Sequence, residues 1–259
     1  LASGSFFDEK MLACLLAIGS HTLAADSVGW SRCQSDRWPR QRQTPSSVWD
    51  NWHYMAIVRV YIDGFNLYYG CLKRTPYKWL DLGRLCSRLL PSDEIRHISY
   101  YTARVSARPH NPSAPVDQQT YHRALRTIPN LSITLGHFLT HSVSMTLTGV
   151  VPPKRVWVDK TEEKGSDVNL GVHLVRDAFR KGFEVAVLIT NDSDLAEPVR
   201  IVRDLGYPVG VLNPHEHHSA VLKQHATFLK RIRQGDLLAS QFPATMTDAK
   251  GPFHKPASW

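Results

Sequence analysis

Short apolar runs alternate with longer segments of helical spacing through the last four fifths of the chain. The runs at residues 57–62 and 184–190 are almost continuously apolar, which is typical of strands buried on both faces of a parallel sheet. Residues 167–181 repeat apolar side chains every three or four positions, as the buried face of an amphipathic helix does. Strands that alternate with helices predict an α/β fold, a three-layer sandwich with a mostly parallel central sheet.

The same patterns predict the remaining elements. The other predicted strands are residues 95–103, 131–139, 208–213 and an edge strand at 226–232. The other predicted helices are residues 67–72, 82–90, 116–128, 195–205 and 219–224. Residues 143–151 and 155–159 are expected to pair as a hairpin across two prolines.

The predicted domain covers residues 55–235. Residues 1–54 mix polar residues, proline and tryptophan without a period, which favours a disordered N-terminal extension without function. Met55 lies directly before the first predicted strand, where a natural start would fall. Residues 236–259, which contain three prolines, are predicted to be a tail. The apolar run at residues 12–18 is too short to span a membrane.

Charge is unevenly distributed along the chain. The formal net charge is +8, but residues 1–54 carry five basic and five acidic residues, so the whole excess belongs to residues 55–259. A basic domain suits a polyanionic substrate such as nucleic acid. An ordinary solvated basic surface explains the same charge equally well.

The four cysteines show neither a CxxC pair nor zinc spacing, and a reduced, cytoplasmic compartment is the simplest interpretation. Cys71 and Cys86 fall in apolar helical patterns and are predicted to be buried. Residues 22–24 could pass for a signal cleavage site if synthesis began at Met11, so export stays open. The histidines at residues 215–218 lack the spacing of a zinc-protease helix and indicate a polar loop or helix start.

Acidic side chains stand at the ends of three predicted elements. Asp63 ends the first strand, Asp167 opens a helix, and Asp192 and Asp194 follow the strand at 184–190. Parallel sheets place their sites at the carboxyl ends of strands, so these carboxylates are expected to converge. Each taken alone is more simply explained as a helix or turn cap, but three such segments favour a shared cation.

The segments Val60-Tyr61-Ile62-Asp63-Gly64-Phe65-Asn66, Lys164-Gly165-Ser166-Asp167 and Thr190-Asn191-Asp192-Ser193-Asp194 resemble those of the NYN domain, in the same order. This family is a branch of the PIN-like, Rossmann-like nuclease fold, and the chain resembles its bacterial LabA-like group over roughly residues 56–232. The resemblance implies a metal-dependent ribonuclease that acts on single-stranded or structured RNA, and a homo-oligomer is compatible with it. Asn191 departs from the pattern, since many relatives have glycine there, and its side chain is expected to crowd the turn.

Matched position by position, the resemblance identifies acidic and polar site residues. The acidic positions are Asp63, Asp167, Asp192 and Asp194, and the polar position after the first strand is Asn66. Phosphodiester hydrolysis must stabilise charge and generate hydroxide near neutral pH, and one or two Mg²⁺ or Mn²⁺ ions can do both. We expect Asp63 and Asp192 to be direct ligands and the other two acids to bind directly or through water. Asn66, Thr190 and Ser193 are expected to orient water or the substrate phosphate.

Two other functions remain open at this stage. The first is a catalytically inactive module that binds RNA or regulates. The second is an NADH-dependent hydroxylase of a pyridine compound, a label that some LabA-like sequences carry, although no GxGxxG turn follows a strand here. Lys164 could contact phosphate, although a solvated loop lysine explains it as well. Other basic residues could also contact the backbone, but ordinary exposed helix faces explain them equally: Arg104, Arg108, Arg176, Arg180, Lys181, Arg200 and Arg203. The aromatic residues Tyr68, Tyr69 and Trp79 are expected to fill the core rather than to stack on bases.

Overall fold

A seven-stranded sheet forms the centre of the domain in a computed structural model that describes residues 55–109 and 111–259. Its strands are β1 (Ile57–Asp63), β2 (Glu94–Ala103), β3 (Leu131–Leu147), β4 (Lys154–Lys164), β5 (Val185–Ile189), β6 (Val209–Asn213) and β7 (Phe228–Arg231). Their spatial order is β4-β3-β2-β1-β5-β6-β7, and all neighbours are parallel except β3 and β4. The predicted α/β sandwich with a mostly parallel sheet is confirmed.

The order in which the chain adds strands to the sheet reverses at β1, so the topological switch point lies between β1 and β5. It adds β2 and β3 on one side of β1 and then returns to add β5, β6 and β7 on the other. β1 and β5 are hydrogen-bonded neighbours in a register that pairs Ile62 with Ile189. In open α/β sheets, a crevice forms outside the carboxyl ends of the strands at such a switch point.

Helices cover both faces of the sheet. They are α1 (Gly64–Leu67), α2 (Leu82–Leu89), α3 (Ala114–Leu125), α4 (Ser166–Phe179), α5 (Ala196–Asp204), α6 (Ala220–His225) and α7 (Gln234–Ala239). On β1, Val60 and Ile62 belong to a buried cluster that includes α2, α3 and α7, whereas Tyr61 belongs to a second cluster that includes α4, α5 and α6. Side chains of a strand alternate between faces, so β1 separates two cores and the domain has three layers.

The C-terminal segment is the main difference from the predicted organisation. Residues 236–259 are not a bare tail, because they complete α7 and form a hairpin of β8 (Thr245–Asp248) and β9 (Gly251–His254). The Trp79 indole lies edge-on to the rings of Phe242, Phe253 and Trp259 and donates a hydrogen bond from Nε1 to the Pro243 carbonyl (2.8 Å). The segment therefore packs against the buried cluster that includes Val60 and Ile62.

Several local predictions need adjustment. The predicted strand at 131–139 and the first strand of the predicted hairpin are one long strand, β3, so the hairpin is an extension of the sheet. Residues 68–72 form a π-helical turn after α1. Of the three aromatic residues assigned to the core, Trp79 is buried but Tyr69 is 59% exposed. Cys86 is buried and Cys71 partly so. The predicted disorder of residues 1–54 lies outside the described residues.

Within the part of the chain that the structure describes, no helix is long and apolar enough to cross a bilayer.

Candidate metal centre

Three carboxylates meet at the switch point of the sheet. Asp63 is the last residue of β1, Asp192 follows the end of the neighbouring strand β5, and Asp167 is the second residue of α4. One oxygen from each lies within 4.8 Å of the others, close enough for a single ion to bind all three. The structure thus brings together three of the four acids that the sequence singles out.

Asp194, the fourth acid, lies apart from this trio. It sits in a short 3₁₀ turn, Ser193–Leu195, where its side chain is exposed, and its backbone N–H donates to Asp192 Oδ1 (3.0 Å). Its charge still raises the pKa of Asp167, although burial and Asp192 contribute more to that rise. Ser193 is also exposed, at the first position of the turn. The geometry therefore favours a more distant role for Asp194 than for the trio.

Crowding of negative charge makes the trio electrostatically unfavourable by itself. Burial raises the pKa of Asp63 to about 7, the Asn66 N–H opposes this rise, and the nearby charges of Asp167 and Asp192 add to it. Asp63 is only 3% exposed, and among the described residues no ion pair involves any of the three acids. A cation would offset both the desolvation and the repulsion.

Hydrogen bonds hold Asp63 and connect it to Asp192. Asp63 Oδ1 accepts from the Asn66 backbone N–H (2.9 Å), and Oδ2 accepts from the Thr190 hydroxyl (3.2 Å). The same Thr190 oxygen accepts from the Asp192 backbone N–H (3.1 Å). One buried hydroxyl therefore links the ends of β1 and β5. The capping explanation is also correct, since Asp63 and Asp192 cap α1 and the 3₁₀ turn, but each carboxylate retains lone pairs for an ion.

The Asn66 side chain is oriented by two donors. Its Oδ1 accepts from the Asn191 backbone N–H (2.9 Å) and lies 3.1 Å from His215 Nε2. Because the backbone N–H can only donate, the accepting atom is the amide oxygen, and the facing His215 nitrogen carries a proton. The Asn66 NH₂ group is therefore left to donate, a property suited to a phosphate or a water rather than to a metal.

His215 and Glu163 are site residues that the sequence did not reveal. Glu163 accepts from the Ser166 backbone N–H (3.1 Å) and from its hydroxyl (2.8 Å), which holds the first turn of α4 and therefore Asp167. A Cβ at Gly136 would collide with the Glu163 carboxylate, so glycine is required there for this approach. His215 belongs to no recognisable local motif because its partner Asn66 lies 149 positions away, whereas Glu163 acts on Ser166, three positions along the chain.

Asn191 does not crowd the turn, contrary to expectation. Its side-chain NH₂ donates to the His217 carbonyl (3.0 Å), and its oxygen accepts from the Ser219 N–H (2.7 Å). The larger side chain thus ties the turn after β5 to the loop after β6, and this loop carries His215.

A cavity of about 1150 Å³ opens in front of the acids. Its wall includes four basic side chains, Lys73, Arg74, Lys78 and Arg108. Aromatic rings line it as well, including Phe138 and the exposed Tyr69. By contrast, Arg176 and Arg200 are engaged with neighbouring carboxylates on helices, and Lys164 pairs with Glu162, as ordinary surface residues do.

Comparison with known proteins shows the family. The NYN domain model matches residues 57–232, more than half of the chain, and the protein belongs to this family. The chain is 33% identical over 233 aligned residues to the 6-hydroxy-3-succinoylpyridine 3-monooxygenase HspA of Pseudomonas putida, covering 78% of this chain and 74% of that protein. It is also similar to a crystal structure of a protein of unknown function from Vibrio parahaemolyticus, at 17% identity and a TM-score of 0.48, covering 73% of this chain and 98% of that one.

Proposed function

We propose that the protein is a metal-dependent ribonuclease that hydrolyses RNA phosphodiester bonds with Mg²⁺ or Mn²⁺ held by Asp63, Asp167 and Asp192. The observation that carries the proposal is the convergence of three carboxylate oxygens within 4.8 Å at the switch point of an NYN domain. Asp194 would act through water, given its exposure.

The donor set fits such an ion. Mg²⁺ and Mn²⁺ prefer oxygen ligands, and three carboxylates without a neighbouring cation supply them. When bound, the ion supplies positive charge that stabilises phosphate oxygens and lowers the pKa of the attacking water. Burial raises the pKa of Asp63, and a bound cation would favour its ionised form and offset that rise.

The chain's own residues account for substrate binding. The Asn66 NH₂ group is free to donate to a phosphate oxygen, and Thr190 holds Asp63 in place. Lys73, Lys78 and Arg108 on the cavity wall offer positive charge to the RNA backbone. The exposed ring of Tyr69 offers a stacking surface for an unpaired base. A cavity lined by both basic side chains and the three acids suits a polyanion whose scissile phosphate would bind at the metal.

Cleavage of a mixed RNA pool with Mg²⁺ or Mn²⁺, and its loss in EDTA, tests the proposal. Asp63→Asn and Asp192→Asn should each abolish cleavage without unfolding the protein, because the volume is kept and a ligand charge is lost. Asp204→Asn serves as the control, since this acid pairs with Arg200 on α5. Full activity in EDTA, or in both site variants, would exclude the mechanism. Metal-dependent RNA binding without any cleavage would instead identify an inactive binding module.

A second candidate rests on the identity to the monooxygenase. That relative acts on 6-hydroxy-3-succinoylpyridine by its name, and the aligned region covers most of both chains. An oxygenase function for this chain would require consumption of NADH on addition of that pyridine. Hydroxylated product by mass spectrometry, retained in Asp63→Asn, would favour the oxygenase over the ribonuclease.

A further inference from the structure

The β3–β4 hairpin extends beyond the sheet as a two-stranded ribbon. Pairing of β3 with β2 ends at Gly136, whereas β3 and β4 stay paired from His137–Lys164 out to Leu147–Lys154. We call residues 139–162 the ribbon. Because directly opposed residues share a face and neighbours along a strand alternate, the register assigns every ribbon side chain to one of two faces.

The middle of one face of the ribbon is apolar. Val143 opposes Val158, and Met145 opposes Val156. Leu139 and Leu147 lie farther out on this face opposite Glu162 and Lys154, and the pair His141–Lys160 separates Leu139 from Val143. Met145 is 52% exposed. The opposite face carries the pairs Thr140–Thr161, Ser142–Asp159, Ser144–Trp157 and Thr146–Arg155. A ribbon of two strands with one apolar face is marginally stable until that face packs against something.

Helix α4 has a second apolar surface that its own core does not use. Leu170, Leu174 and Ala178 are buried beneath the helix. On the solvent side, Val168 is 68% exposed, Val172 58% and Phe179 63%, with the partly buried Val175 between them. At 3.6 residues per turn these four positions, spaced 4-3-4, lie within roughly 60° of arc and form a stripe roughly 16 Å long.

We propose that two copies of this chain form a symmetric dimer in which the apolar ribbon face of each packs on the α4 stripe of the other. A two-fold axis supplies both contacts at once, because each copy carries one ribbon and one stripe. The lengths agree: the apolar ribbon face from Val143 to Leu147 spans roughly 14 Å, close to the length of the helical stripe.

The area available distinguishes this arrangement from simpler ones. The exposed apolar side chains of the ribbon face and the α4 stripe present together roughly 650 Å² on one copy. Two reciprocal contacts would bury roughly 1,300 Å² in total, within the range of stable interfaces, whereas stripe-on-stripe or ribbon-on-ribbon pairing would bury about half of that. Edge-to-edge pairing of β4 is disfavoured because lysines at residues 154, 160 and 164 line that edge strand.

Val168 directly follows the candidate ligand Asp167, so a docked ribbon would border the acidic cavity of the partner. The polar ribbon face already leads towards the cavity of its own copy, since Thr140 and Thr161 line that cavity. Dimerisation would therefore lengthen the wall around both sites, whichever reaction they perform.

Sedimentation velocity of the full chain tests the proposal. We expect a dimer at about 10 µM, and a loss of at least about 100-fold in dimer affinity for Met145→Glu and for Val172→Glu, because each buries an unpaired charge. Thr146→Glu on the opposite ribbon face and Arg180→Glu just beyond α4 are matched controls that should dimerise normally. Circular dichroism confirms that all four variants are folded.

Cross-linking separates the exchanged arrangement from its rivals. A Met145→Cys, Val172→Cys protein should form a disulfide-linked dimer on oxidation, whereas each single variant should not. Linkage of Met145→Cys alone would indicate ribbon-on-ribbon pairing and would overturn the exchange. A monomer at all concentrations, or a dimer unaffected by both glutamate variants, would refute the proposal outright.

Discussion

Asp63→Asn should stabilise the metal-free protein, and more strongly at pH 8 than at pH 5. The wild-type carboxylate is buried at the end of β1 beside Asp167 and Asp192, so its ionised form is disfavoured in the folded state. A carboxyl whose folded pKa lies above its unfolded value costs stability as pH rises from the lower value to the higher one. Asparagine carries no charge at any of these pH values and escapes this cost.

The size of the effect follows from the pKa. A rise from 3.8 to about 7 corresponds to about 4 kcal/mol at full ionisation, of which less than half is already present at pH 5. The variant should therefore gain about 2–3 kcal/mol relative to the wild type between pH 5 and pH 8. Effects that do not depend on pH, such as the altered hydrogen bond with Thr190, cancel in this difference.

Urea unfolding in EDTA at both pH values measures the difference directly. Asp194→Asn, which alters an exposed acid next to the same site, is the matched control and should show a much smaller change. Added Mn²⁺ should stabilise the wild type at pH 8 and have little effect on Asp63→Asn. If the variant and the wild type differed equally in unfolding free energy at pH 5 and pH 8, the claim that burial and nearby negative charge raise the pKa of Asp63 would be refuted.

Four further outcomes are expected. Trp79→Ala should lower the free energy of unfolding by about 3–5 kcal/mol in urea titrations, because the C-terminal hairpin loses its central ring, while Tyr69→Ala should leave stability unchanged but weaken RNA binding. Gly136→Ala should reduce RNA cleavage by displacing Glu163 and with it the first turn of α4, and normal rates would count against that support. Lys78→Ala should weaken RNA binding uniformly across sequences and reduce the slope of log affinity against log salt by about one unit or less, as filter binding at several salt concentrations would show.

The part of the site that could be predicted from sequence depends on regular strand geometry. Apolar runs ending in Asp63 and before Asp192 define parallel strands, and the ends of adjacent parallel strands must share an edge of the sheet. The sequence analysis preferred Asp192 to Asp194 as a direct ligand, but the geometry that separates them depends on how a single 3₁₀ turn rotates successive side chains. His215 could not be recognised from sequence, since its partner Asn66 lies 149 positions away.

The fold shows the same division. Helices and strands of the sheet were predictable because their apolar periods repeat over several turns or pairs. The C-terminal hairpin was missed because its strands have four residues each, include Pro252, and bury little beyond Phe253. Such short strands depend on a distant surface, here the ring of Trp79, which no local pattern reveals.

The base of the ribbon lies between the three acids and the ribbon surface proposed for dimerisation, so the two can change independently in evolution. His137 pairs with Lys164 at the base of the ribbon, and β4 leads from this pair into α4, which carries Asp167. The rest of the ribbon extends outward from the same pair. Lengthening or shortening the ribbon by two residues on each strand would preserve its two faces and leave the acids in place. Descendants of such a chain could therefore change the proposed dimer contact without altering the three candidate metal ligands.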